Sequence, residues 1–315
     1  MFDLSKAELA AKADEYNFVR DTMEKVLRLA DILEYLNTNP LTGNTLALKG
    51  GTAINLTVFN LPRLSVDIDL DYSAEKTREE MMQARERITA DIKIFAATQG
   101  YGISPRSKSL HSLDSFVLVY HNLGGISDNI KIEINYSLRA HIFALERRAI
   151  AAEAIRKGRE VLTVAPMEIF ASKINALLSR AAARDLYDTY YMIQLGLFDG
   201  SKYDMLRRCV VFYTAISQEE IPKAYDIGRI DSITLRKIKT DLLPVIRKGE
   251  FVELADMKQA VKDFIEKLLT LTDDEKAFLS EFSEKRYRPE LLFDDAGVLA
   301  RIRKHPMALW KMQEH

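Results

Sequence analysis

Two periodicities alternate along the chain. Residues 5–37 place Val26, Leu27, Leu29, Ala30, Ile32 and Leu33 on apolar stripes within sequence rich in Ala, Leu, Glu and Lys, which predicts helix. Residues 37–44, with Asn, Thr, Pro and Gly, predict a loop. The apolar run over residues 45–48 predicts a buried strand, and residues 53–61 a helix that stops at Pro62, which has no amide hydrogen to continue it. Strict alternation over residues 66–70 predicts a second strand. Residues 75–98 predict a long charged helix on the back of the sheet, and the polar stretch 99–112 a mobile loop. Residues 116–120 and 130–136 predict two strands joined through Gly124 and Gly125 as a hairpin. Residues 139–159 read as a basic linker, with six Arg or Lys against two Glu. A short strand over 161–164 follows, and from Pro166 onward nearly everything predicts helix.

The chemistry concentrates in two short blocks. The first is Lys49-Gly50-Gly51-Thr52-Ala53. Glycine permits close backbone approach to a ligand, and a helix starting at Thr52 aims its amides and positive dipole end at whatever sits above the turn. A phosphate fits there; so does a plain strand-to-helix connection with Thr52 as N-cap. The second block is Arg63-Leu64-Ser65-Val66-Asp67-Ile68-Asp69-Leu70. Alternation puts Asp67 and Asp69 on one face and Ile68 and Leu70 on the other. Two carboxylates ~4 Å apart repel by about 4 kcal/mol at an effective dielectric near 20. A divalent cation such as Mg²⁺ relieves that repulsion and shares the carboxylates with substrate phosphates. Asp71 has the same parity but is expected past the strand end, with no ligand role. Glu133 alternates with Ile132 and Ile134 and completes a carboxylate triad if its face is that of Asp67 and Asp69.

Downstream, Ile169, Phe170, Ile174, Leu177 and Leu178 form an apolar helical stripe, and Lys173 falls inside it. A lysine there must snorkel or meet an anion. Arg184-Asp185-Leu186-Tyr187-Asp188 opens the next helical segment, where Asp185 also suits an N-cap.

Gly-Gly-Thr, then Arg-x-Ser-x-Asp-x-Asp, then a lone Glu on a later strand resembles the DNA polymerase β-like nucleotidyltransferase superfamily, and more narrowly the AbiEii/AbiGii-type toxins of bacterial toxin–antitoxin (abortive infection) systems. The likeness runs from about residue 15 to the C-terminus, and its most specific part is residues 48–71. It implies an α+β fold: a polymerase β-like mixed sheet with flanking helices over residues 1–160, and a mainly helical domain over 161–315 that brings Lys173 and Asp185 to a cleft. It implies that Gly50, Gly51 and Thr52 hold an NTP triphosphate, with Arg63 and Ser65 in reach of the same phosphates or, for Arg63, paired to an aspartate. Asp67, Asp69 and Glu133 become ligands of Mg²⁺ (or Mn²⁺), Lys173 a phosphate grip, and Asp185 the base or the orienter of the acceptor hydroxyl. Asp188 supports these or is structural. The implied reaction is transfer of NMP to a hydroxyl, foremost the 3′ end of tRNA, in a chain opposed by a cognate antitoxin protein. Rival readings are a protein or antibiotic hydroxyl as acceptor, or a non-catalytic interaction module on the same fold.

Composition adds limits. The 315 residues have room for two domains, and a net charge of −1 removes any whole-chain electrostatic argument for nucleic acid. Local basic runs, residues 139–159 with Arg286, Arg288, Arg301, Arg303 and Lys304, are candidates to track an RNA backbone. The lone Cys209 excludes a disulfide framework within the chain and reads as packing. With no apolar signal core and no membrane-length apolar run, the expected compartment is the cytoplasm.

Overall fold

The pattern of alternating faces is realised in a computed structural model, which describes residues 2–74, 76–151, 155, 158–222, 224–251 and 253–313. The chain divides into two units. The first comprises Met1–Arg139, Leu145–Val164 and Val245–Glu250; the second comprises Ala140–Ala144, Ala165–Pro244 and Phe251–His315.

The first unit opens with α1 (Lys6–Glu15), started by a Ser5–Glu8 capping box, and α2 (Arg20–Thr38). The single helix predicted over 5–37 is therefore two, broken where Asn17 turns through φ +58°. Then come β1 (Leu46–Lys49), α3 (Gly50–Thr57), β2 (Asp67–Tyr72) and α4 (Arg78–Thr98). The remaining strands are β3 (Gly102–Ile103), β4 (Lys108–Ser109), β5 (Leu113–His121), β6 (Ser127–Asn135), β7 (Glu146–Ala149) and β8 (Glu160–Thr163). They form one sheet in the order β3-β5-β6-β2-β1-β8-β7, with β4 also on β5. β2 runs parallel to β6 and β1 to β8; the other pairings are antiparallel, so the sheet is mixed.

Register sorts the two faces. Leu48 pairs Leu70, Ile68 pairs Ile132 and Leu70 pairs Ile134, all buried. The opposite parity carries Lys49, Asp67, Asp69, Asp71, Lys131 and Glu133. The core is thus made by every second residue of these strands, and the intervening positions are left for charge.

Two stretches differ from expectation. Residues 99–112 are not an irregular loop: β3 and β4 pair with β5, and Arg85 reaches the stretch from α4. Its guanidinium, almost wholly buried, donates to both carboxylate oxygens of buried Asp114, to the carbonyls of Leu110 and His111, and to Ser109 Oγ. Residues 139–159 are not a linker. They contain β7, where Arg147 donates to Gly43 O and Asn44 Oδ1 and Arg148 pairs with Glu146; Arg159, just before β8, pairs with Glu34. Arg156 and Lys157 lie outside the described residues.

The second unit holds α5 (Pro166–Arg180), α6 (Ala183–Gln194), α7 (Ser201–Ser217), α8 (Leu235–Lys237), α9 (Leu254–Leu268), α10 (Asp273–Ser283), α11 (Ala296–Ile302) and α12 (Pro306–Lys311). Phe170, Ile174, Leu177, Val210, Phe212 and Ile265 lie in its core, with Cys209 fully buried on α7. The units do not meet at one point in sequence, as a boundary at residues 160 and 161 requires. β8 completes the first sheet, so the change comes after Val164. Residues 140–144 belong to the helical unit because buried Glu168 accepts the amides of Ile142 and Phe143 and the hydroxyl of Tyr213. Residues 245–250 return to the sheet unit through Leu64 N to Val245 O and the Arg63–Ile246 bridge.

Removing one partner of a buried ion pair leaves an uncompensated charge, at about 3–5 kcal/mol. Arg85→Met, which strands Asp114, is expected to destabilise the sheet unit by that order in urea unfolding, with early amide exchange at residues 108–114.

Candidate functional site

The first site component is the β1–α3 turn. β1 delivers Lys49 in extended conformation, and Gly50 then turns through φ +68°, a region that other residues enter at a cost. A Cβ on Gly50 would stand 2.7 Å from Asp69 Oδ2. A Cβ on Gly51 would stand 2.7 Å from Arg63 Nη2 and 3.1 Å from Ser65 Oγ. The two glycines are therefore the surface against which Asp69, Arg63 and Ser65 pack.

α3 starts at Gly50, two residues before the expected start at Thr52, and ends at Thr57 rather than continuing to residue 61. Thr52 is not the N-cap; that position is Lys49, whose side chain makes no cap bond. Inside the first turn, 1% exposed, the Thr52 hydroxyl donates to the Asp67 carbonyl and lies 2.9 Å from Ser65 Oγ. It ties the helix start to the beginning of β2. The amides of this first turn have no intrahelical acceptors and a positive dipole end behind them. Arg63, 1% exposed, donates to the Leu64 carbonyl, and its place against Gly51 makes it a brace of the turn.

The second component is the carboxylate row. Asp67 and Asp69 are half-buried on one face of β2. The parallel β2–β6 register sets Glu133 directly beside Asp69 and Lys131 beside Asp67, so the triad expected from sequence shares a face. Lys131 and Glu133 form a 2.8 Å ion pair. Among the described residues no three His, Cys, Asp or Glu side chains make a ready cage for a metal ion. The row fits instead an ion that takes one or two carboxylates and completes its shell with water and substrate phosphates, as Mg²⁺ commonly does.

Asp71 corrects the reading above. It lies inside β2, 3% exposed, with Lys49 Nζ at 2.5 Å from its Oδ1. Burial pushes its carboxyl up, and the Lys49 charge opposes that shift.

The helical unit holds the third component. α5 ends at Ala181 in the left-handed region (φ +47°, ψ +57°), and α6 begins two residues later. Asp185 and Asp188, three apart on α6, lie on one helix face. Lys173 Nζ lies 2.9 Å from Asp185 Oδ1 and 2.8 Å from Asp188 Oδ2. Arg180 adds Nε to Asp185 Oδ2 at 2.7 Å. The lysine inside an apolar stripe is thus met by two carboxylates in its own unit. Asp185 is not an N-cap, since Ala182 holds that position. Burial pushes the Asp185 carboxyl up, but Lys173 and Arg180 outweigh it and hold the group below its ordinary value. On α7, Cys209 is fully buried, as its reading as packing requires, and burial pushes its thiol well up.

Residues 31–287 match the family model described as nucleotidyl transferase AbiEii toxin, type IV toxin–antitoxin system. Among curated proteins no sequence matches. Among solved structures, the MenT4 nucleotidyltransferase toxin of Mycobacterium tuberculosis H37Rv is 17% identical, with a TM-score of 0.64 over 99% of this chain and 100% of that one. That likeness is one of fold. CdnC of E. coli MS115-1, solved with ATP, aligns over 99% of each chain at 12% identity and a TM-score of 0.25, too low to carry an argument.

Gly50→Ala is expected to cost about 1–2 kcal/mol from the left-handed backbone alone. Because the new methyl also displaces the Asp69 carboxylate, nucleotide binding by calorimetry falls in chains still folded by circular dichroism. The depressed Asp185 carboxyl gives stability that is full above its ordinary value of 3.8 and is lost as pH falls below it. Urea midpoints between pH 6 and pH 3 are expected to fall less steeply for Asp185→Asn than for the parent.

Proposed function

The chain belongs to the AbiEii family of nucleotidyl transferase toxins of type IV toxin–antitoxin systems, and from that premise we propose that it moves NMP from an NTP to the 3′ end of tRNA, with a divalent ion. The observation that supports the nucleotide part of this reading is the packing of the Asp69 carboxylate against Gly50, which brings the glycine turn and the acidic strand together.

In this reading the amides of Gly51 and Thr52 receive the triphosphate at the start of α3. Arg63 and Ser65 hold the turn open from below. Asp67 and Asp69, with Glu133 beside them, are the residues to hold Mg²⁺ or Mn²⁺, which when bound supplies charge neutralisation at the phosphates. Lys173 has the phosphate role by family resemblance alone, since within the helical unit its ammonium already meets Asp185 and Asp188. Asp185 suits the orienting role better than that of base. Its oxygens already accept from Lys173 and Arg180, and a carboxylate held below its ordinary range takes protons poorly. The residues position reactants and offset charge; phosphoryl-type transfer asks little more of a protein.

tRNA is the acceptor favoured by family resemblance. The basic stretches add little, since Arg147, Arg148, Arg159 and Arg286 already have partners in the protein. A cognate antitoxin is the expected partner of a toxin of this type. Among the described residues no helix is long and apolar enough to cross a membrane.

The test is transfer of α-phosphate label from each NTP into total RNA, total protein and small molecules, with 3′-end sequencing of RNA after brief induction. Label at tRNA 3′ ends is the expected result, falling about a hundredfold or more in Asp67→Ala, Asp69→Ala and Lys173→Ala. Label in protein or in a small hydroxyl compound moves the acceptor. Growth arrest undiminished in all three variants overturns catalysis as its cause.

A further inference from the structure

We propose that Lys49 and Asp71 are a positioning pair for the nucleotide site, in which Asp71 fixes the Lys49 ammonium beside the carboxylate row and sets the charge that an incoming polyphosphate meets. The inference rests on the reading of β2 as the nucleotide-side strand.

Lys49 is the last residue of β1 and immediately precedes the turning Gly50. In the antiparallel β1–β2 register it stands directly opposite Asp69, so the two share a face, and Asp71 is its diagonal neighbour. The ammonium takes the diagonal, at 2.5 Å from Asp71 Oδ1. The Asp71 side chain is 4% exposed and that of Lys49 26%, so one end of the pair is sunk in the protein and the other faces outward. The flanking strand makes a useful contrast. There Lys131 pairs with Glu133, but with side chains 40% and 28% exposed, where screening leaves little fixed field.

Stability does not require this pair. The β1–β2 register is already set by apolar residues, Leu48 opposite Leu70, and a buried ion pair replaced by apolar side chains of similar size is commonly neutral. The pair is neutral as a whole; what it supplies is an ammonium fixed at its outer end on the face that carries Asp67, Asp69 and Glu133. A row of acids repels a polyphosphate, and a cation anchored beside it lowers that repulsion at the place where the triphosphate must approach. A free lysine provides no fixed position; the buried carboxylate does.

The experiment compares Lys49→Met, Lys49→Arg and the pair-deleted Lys49→Met/Asp71→Leu with the parent, using Asp69→Asn as control. Thermal midpoints, kcat and KM are measured with the best-used NTP and total tRNA, and binding of a non-hydrolysable NTP analogue is measured by calorimetry. Lys49→Met is expected to melt earlier, because Asp71 loses its counter-charge. The pair-deleted chain regains the parental midpoint, yet its kcat/KM stays ~10- to 100-fold down and the analogue binds more weakly. Lys49→Arg, which keeps the charge, keeps most of the turnover. Parental kinetics in the pair-deleted chain overturn the proposal, and so does its failure to fold, which assigns the pair to the framework. If Asp69→Asn also turns over normally, the nucleotide reading of β2 has failed instead.

Discussion

The structure depends on the contact between the Asp69 carboxylate and Gly50. There is room for no side chain between them, since a methyl on Gly50 would stand 2.7 Å from Asp69 Oδ2. Asp69 in turn stays at that height because Ile68 and Leu70 hold β2 in the core on the opposite face. An apolar alternation thus sets where a polar side chain stands. Gly51 repeats the arrangement with Arg63 and Ser65, and Thr52 closes it with a hydrogen bond to the Asp67 carbonyl. Turn and strand are one assembly, and neither can shift without the other.

The helical unit solves a different problem. A lysine among buried leucines needs anions, and the short α5–α6 connection brings them. The left-handed Ala181 reverses the chain tightly enough that Asp185 and Asp188, one helical turn apart, both reach Lys173. Arg180, largely exposed, adds a second cation to Asp185. The outcome is a charged cluster whose geometry comes from backbone connection and helix spacing, with little freedom left to the side chains.

How much of this was legible depends on how local the signal was. The alternation of Asp67 and Asp69, the Gly-Gly pair, the hairpin at Gly124 and Gly125, and the anomaly of Lys173 are all short-range patterns; the structure places each on the element expected except the two glycines, which open α3 instead of preceding it. The face shared by Glu133 and Asp69 needed the parallel β2–β6 register, which no local pattern encodes. Asp71 was misplaced because Tyr72 and Ser73 read as a strand end. In the fold Tyr72 is buried, with its ring 5.5 Å from that of Tyr136, and that packing carries β2 two residues further. Residues 99–112 and 139–159 looked irregular because their strands are short and polar. Their order comes from backbone pairing with β5 and β8, and for the former from Arg85 on a distant helix. Lys49 carried no local signal either, although its place opposite Asp69 follows once β1 and β2 are paired.

The same functional group has been given several characters by its surroundings. Asp67, Asp69 and Glu133 stand half-buried, partly open to water, and Glu133 is ion-paired with Lys131. Asp71, two residues along the same face, is sunk beneath Lys49, and burial moves its carboxyl in the direction opposite to that of Asp185, which two cations hold down. Asp114 is sunk too, but on the apolar side of the sheet, where Arg85 makes it a structural bolt. Sequence parity alone cannot separate these cases, because 67, 69 and 71 share it. Depth and the nearest cation separate them. It follows that the working acids of such a strand are to be sought where alternation and partial exposure coincide, and that the fully buried member of the series is the one to examine for a role in placing charge.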